Sequence, residues 1–117
     1  MLLQRLALNQ SIFRVANERM QALAEQRHLP PDEPLSVLCE CSHEACRKRL
    51  TIDRASYEDV RSDSRRFLVA VGHDLPRVER VLRECSDYAV VETIDEVAGV
   101  VTATDPRRSA PGAVAKS

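Results

Sequence analysis

The chain has no tryptophan, and only two phenylalanines and two tyrosines among 117 residues. Leucine and valine must therefore do most of the packing, and few rings are available on which unpaired bases could stack. Only three glycines are present, and none belongs to a glycine-rich phosphate loop or a Gly-x-Ser-x-Gly elbow. There is no His-Glu-x-x-His, so no catalytic zinc helix is expected either. Charge of one sign is not in excess: 17 basic and 18 acidic residues leave a net charge of −1. That balance gives no chain-wide argument for nucleic acid or membrane. The longest apolar run, Phe67-Leu68-Val69-Ala70-Val71, is far too short to span a bilayer. Met1-Leu2-Leu3-Gln4-Arg5-Leu6 lacks the basic start and apolar stretch of a signal peptide. The expected setting is the cytoplasm, where clustered cysteines are more often metal ligands or redox groups than disulfides.

What is present is a concentration of thiols. Cys39-Glu40-Cys41-Ser42-His43-Glu44-Ala45-Cys46 places three of the four cysteines within eight residues. Zinc takes four tetrahedral ligands, mostly Cys and His, and this segment supplies three. The fourth has three candidates. His73 comes first, because it follows Gly72 at the end of the best strand and would tie the sheet to the cysteine loop. His43 is second, since four ligands within eight residues would crowd one tetrahedron. Cys85 is third. Two other readings stand beside zinc: three reduced cysteines without a role, or a redox switch in which Cys46 pairs with one of its neighbours. A direct Cys39–Cys41 disulfide would be strained. A shell of three Cys and one His leaves no open position for water, so the metal is expected to be structural and the chain not an enzyme. His73-Asp74 is not read as a catalytic pair, because adjacent side chains rarely point the same way and no nucleophile accompanies them.

The rest of the chain predicts a single α+β domain, a long N-terminal helix followed by one small antiparallel sheet with one or two short helices and a zinc knuckle. Residues 2–28 read as one helix, with Leu2, Leu6, Phe13, Ala16, Met20 and Leu23 on a heptad seam and Asn9 in its one polar slot. Ile12 and Val15 widen that stripe, and Arg14 and Glu18 are expected as an exposed pair on its flank. His28 is read as a favourable charge at the helix end. The division is an N-terminal coiled-coil or docking helix over 1–29, a Pro-rich linker over 30–34, a zinc-stapled domain over 35–104 and a flexible tail over 105–117. Short strands are expected at residues 35–41, 50–52, 66–71, 78–83 and 88–93, with the last two paired as a hairpin. Asp53 should cap a short helix over 54–62, and residues 94–103 a closing one. The compact unit then has roughly 70 residues, a size at which a core supplies only about 3–5 kcal/mol and a metal matters.

Cys39-Glu40-Cys41 with Cys46, Tyr57-Glu58-x-x-Arg61, Arg66-Phe67, Gly72-His73 and Tyr88-x-Val90-Val91-Glu92 together resemble a small family of uncharacterised proteins of high-GC bacteria. Asn17-Glu18-Arg19 and Asp105-Pro106-Arg107 fit the same pattern, so it covers most of residues 13–107. The resemblance implies that the three cysteines and His73 form one recurring site, and it implies no activity. A polar turn residue is expected in that pattern where Cys85 stands. The functional expectation is a regulatory or interaction module stabilised by Zn2+, meeting a protein partner or a second copy through its N-terminal helix. The alternatives are a zinc-thiol redox sensor, and a nucleic-acid-binding regulator using Arg47-Lys48-Arg49, Arg65-Arg66, Arg77, Arg80 and Arg83.

Overall fold

From Leu2 to Gln26 the chain has neither glycine nor proline, and good helix formers dominate it. They form α1 (Leu2–Gln26). The computed structural model describes residues 2–41, 43 and 45–107, without the side chains of residues 2–7, 96 and 97. The expected seam positions Leu2 and Leu6, and residues 108–117 of the expected tail, therefore lie outside the described side chains and residues.

α1 ends on a left-handed residue rather than on the prolines. His28 has φ 56°; its N–H donates to Glu25 C=O at 3.0 Å, and Leu29 N–H donates to Ala24 C=O at 3.1 Å. These two bonds are the Schellman pattern, which satisfies the last helical carbonyls.

Two antiparallel sheets follow where one was expected. β1 (Pro34–Leu38) pairs with β2 (Arg49–Asp53), with Leu35 opposite Ile52 and Val37 opposite Leu50. Those four side chains are buried, while Ser36 and Thr51 between them face water, the period-two alternation of a half-covered sheet. α2 (Arg54–Arg61) starts on Asp53, whose carboxylate accepts from Ser56 N–H at 3.0 Å. It turns Tyr57, Val60 and Arg61 inward.

The second sheet has the order β3-β5-β4, with β3 (Arg66–Val69), β4 (Glu79–Glu84) and β5 (Ala89–Thr93). β4 and β5 form the expected hairpin. Its register shifts between Val81 and Arg83, so both Val81 and Leu82 are exposed. This bulge is why the segment reads as neither a clean strand nor a clean helix. α3 (Asp95–Ala103) closes the fold. Tyr57, Phe67, Leu68, Val69, Val91 and Val101 form the heart of the core.

α1 folds back against its own domain, on α3 and β1. Its inward stripe is Gln10, Arg14, Asn17, Gln21 and Ala24, all buried. This is the expected seam moved one residue along, about 100° around the helix. Arg14 is therefore not on an exposed flank. Its guanidinium lies 4.6 Å from the Phe67 ring centre and donates to Ser64 C=O at 2.7 Å and Val101 C=O at 2.6 Å. Glu18 accepts from Tyr57 Oη at 2.6 Å and pairs with Arg107. Gln21 donates to Glu58 at 2.5 Å. Of the expected apolar stripe, Ile12 and Leu23 face water, 64 % and 51 % exposed, while Phe13, Val15, Ala16 and Met20 are half-buried.

Candidate metal centre

The centre begins where β1 runs out. Cys39 N–H still donates across to Lys48 C=O at 2.9 Å, but the next residue changes partner, and Glu40 N–H donates to Leu68 C=O at 2.7 Å. This switch brings the cysteine loop against the end of β3. There Ala70 C=O accepts from His73 N–H at 2.9 Å, closing a turn with Gly72 at φ 88°. A third turn residue with positive φ marks a type II turn, which favours glycine. A Cβ at Gly72 would meet nothing within 4 Å, so the requirement is conformational and not one of space. The turn folds His73 back over the loop. On the loop itself, Cys46 N–H donates to His43 C=O at 3.0 Å and returns Cys46 to the same point.

Cys39, Cys41, Cys46 and His73 converge, with one donor atom from each lying within 4.8 Å of all the others. His73 Nδ1 is 3.6 Å from Cys39 Sγ and 3.8 Å from Cys46 Sγ. A tetrahedral ion with bonds of about 2.3 Å to sulfur and 2.0–2.1 Å to imidazole nitrogen has sulfur–nitrogen edges of about 3.6 Å. The donor set therefore has the chemistry and the spacing to close on one metal ion, with Nδ1 as the imidazole ligand.

Measured against family models, curated proteins and solved structures, the chain matches none. Its geometry alone carries the functional reading.

The thiols polarise one another even before a cation is considered. Cys41 is pushed well below the usual thiol range because it accepts from Cys39, with further bonds from His43 N–H, His73 and Cys46. Cys39 is pushed upward by the same bond to Cys41 and by burial. Both sulfurs would bind a divalent ion as thiolates. Ala70 N–H also points at Cys39 Sγ, at 3.2 Å, giving the buried sulfur a second donor.

The other two candidate ligands are not part of the cluster. His43 is on the loop but exposed, and its Nδ1 accepts from Ala45 N–H at 3.2 Å. Cys85 sits in the turn between β4 and β5, where it interacts with Tyr88. An open cleft of about 630 Å3 adjoins the cluster, lined by Cys41, Cys46 and His73 together with His43, Asp74 and Leu75.

The residue between the two inner cysteines was not foreseen as part of the site. Glu40 is fully buried. Its carboxylate accepts from Arg61 Nη2 at 2.6 Å, Asn17 Nδ2 at 2.7 Å and Leu68 N–H at 2.9 Å. Asn17 in turn brackets Leu38, accepting from its N–H at 2.7 Å and donating to its C=O at 2.9 Å. Glu40 thus joins α1, α2 and β3 at the root of the cysteine loop. Its only sequence signal is a charged residue flanked by two thiols.

Several of the basic residues read as a phosphate-binding face stand beside acidic ones. Arg65 pairs with Asp95, Arg66 with Asp63, Arg80 with Glu92 and Arg83 with Asp59.

Proposed function

We propose that this chain is a non-enzymatic, cytoplasmic interaction module stapled by a structural Zn2+. The observation that carries the reading is the convergence of three sulfurs and one imidazole nitrogen on a single point. Soft N/S donors in a closed tetrahedral set suit zinc, and such a set leaves no position for a substrate or an activated water. Zinc would supply the cross-link between the cysteine loop and the β3 turn. Cys39, Cys41 and Cys46 would neutralise it, and His73 would tie the second sheet to the first.

The interaction half of the proposal rests on the outer face of α1. Leu8, Ile12 and Leu23 are 45 %, 64 % and 51 % exposed on a helix already fixed in place by its polar side. A stripe of this kind suits a second copy of the chain or another protein with an apolar groove.

Elemental analysis of protein purified without added metal should find about one zinc per chain, and the His73→Ala variant should lose most of it. Chelation should lower the melting temperature of the wild type. Metal-free wild-type protein, or a melting temperature indifferent to chelator, refutes the staple. For the helix, Ile12→Glu with Leu23→Glu should lower the mass seen in sedimentation equilibrium while leaving zinc content intact. A monomeric wild type at high concentration removes self-association.

A further inference from the structure

We infer that Cys46 is the reactive thiolate of the centre, the sulfur that a hydroperoxide reaching the adjoining cleft oxidises first; the inference rests on the zinc reading above. The three sulfurs differ in their surroundings. Cys39 is 1 % exposed and receives the Ala70 N–H. Cys41 is 3 % exposed and receives the His43 N–H. Cys46 is half-buried on the cleft wall, and among the described residues no backbone N–H is directed at its sulfur. Donated hydrogen bonds withdraw charge from a thiolate and burial blocks its approach, so both inner sulfurs are damped relative to Cys46.

The cleft, at about 630 Å3, has ample room for a small peroxide beside Cys46. The Cys46 thiolate attacks the terminal oxygen of RO–OH. The S–O bond forms, the O–O bond breaks, and RO− leaves to take a proton from water. Sulfur is oxidised by two electrons and the peroxide is reduced by two. Cys41 then attacks the sulfenic sulfur, forming the S–S bond and expelling hydroxide. It is the partner because it lies within 4.8 Å of Cys46 and lines the same cleft. Two thiolates and one hydroperoxide therefore give one disulfide, one alkoxide and one hydroxide. With Cys41 and Cys46 joined, only Cys39 and His73 would remain to hold zinc, and the ion would be lost.

The test uses the full wild-type chain after its zinc content has been measured. Hydrogen peroxide is added, samples are quenched with an alkylating reagent over time, and each cysteine is mapped by mass spectrometry. Zinc release is followed in parallel with a chromogenic chelator. Cys46 and Cys41 should lose alkylation together, about tenfold faster than Cys39 and Cys85, in step with zinc release, and a thiol reductant should reverse both. A full zinc complement with Cys39 or Cys85 oxidised first, or zinc retained in excess peroxide, overturns the assignment to Cys46 and leaves the staple standing. Wild-type protein that carries no zinc overturns the staple itself, and this inference with it.

Discussion

The Glu40→Gln substitution tests most directly how the metal loop is anchored. It preserves shape and removes one charge. In the wild type, Glu40 and Arg61 have side chains 0 % and 1 % exposed, with oxygen and nitrogen 2.6 Å apart. Burial opposes the Arg61 charge, yet Glu40 raises its affinity for the proton above the ordinary guanidinium level. Without the carboxylate, that cation stays in the interior uncompensated, a situation that costs about 3–5 kcal/mol. Asn17 and Leu68 N–H also lose a charged acceptor, and the new amide nitrogen brings a donor where donors already converge. Against a total stability of about 5–15 kcal/mol, the loss is a large fraction. Urea denaturation should show it, and, if the proposed zinc is bound, competition with a chelator should show its affinity lowered about tenfold, because the substituted residue holds two of the candidate ligands in place. Replacing both partners, Glu40→Met with Arg61→Met, should restore part of the stability, since a removed pair costs less than a broken one. A Glu40→Gln protein within about 1 kcal/mol of wild type, or a double variant no better than the single, refutes the reasoning.

Two further predictions follow from other buried groups. Burial pushes the Glu79 carboxyl up to about 7, against hydrogen bonds from Leu75 N–H and Gln10 that favour its ionised form. Its native pKa therefore lies above its unfolded one, so the folded chain binds the extra proton; Glu79's share of stability is complete below about pH 4.5 and falls by about 3 kcal/mol as the pH rises to 7. Glu79→Gln should remove this loss, so that urea denaturation finds the variant the more stable of the two at pH 8 but not at pH 4.5; parallel pH profiles would exclude it. His28→Gly should raise stability by about 0.5–1 kcal/mol, because glycine occupies the left-handed end of α1 without the Cβ penalty; thermal melting checks this, and an unchanged or lowered midpoint refutes it.

The convergence of Cys39, Cys41, Cys46 and His73 was legible in the sequence because thiol spacing is a local signal and Gly72-His73 marks a turn at the end of a strand. The strands of the second sheet were legible for the same reason, apart from the bulge at Leu82, which shifts the alternation out of phase. The seating of α1 was not legible. Hydrophobic periodicity selects Phe13, Met20 and Leu23, whereas the residues that face the domain are Gln10, Arg14, Asn17 and Gln21. Their partners, Glu79, Val101, Glu40 and Glu58, are distant in the chain, and no local pattern reports a polar side chain that will be buried by a matching one. Asn17, Glu18, Tyr57, Glu58, Arg61 and Arg107 stood in the sequence as a motif without chemistry. In the fold they make up much of the network that seats α1 and the Asp105-Pro106-Arg107 segment. His28 was read for its charge, although its backbone angle is what ends the helix.

A long helix seated by hydrogen bonds meets water differently from one seated by grease. Lifting α1 away would uncover amides, carboxylates and guanidinium groups, each of which finds a replacement partner in solvent at once. Such an opening would change heat capacity less than uncovering an equal apolar area, because exposed polar surface lowers it. The exchange of its amide protons would then register detachment that melting curves pass over.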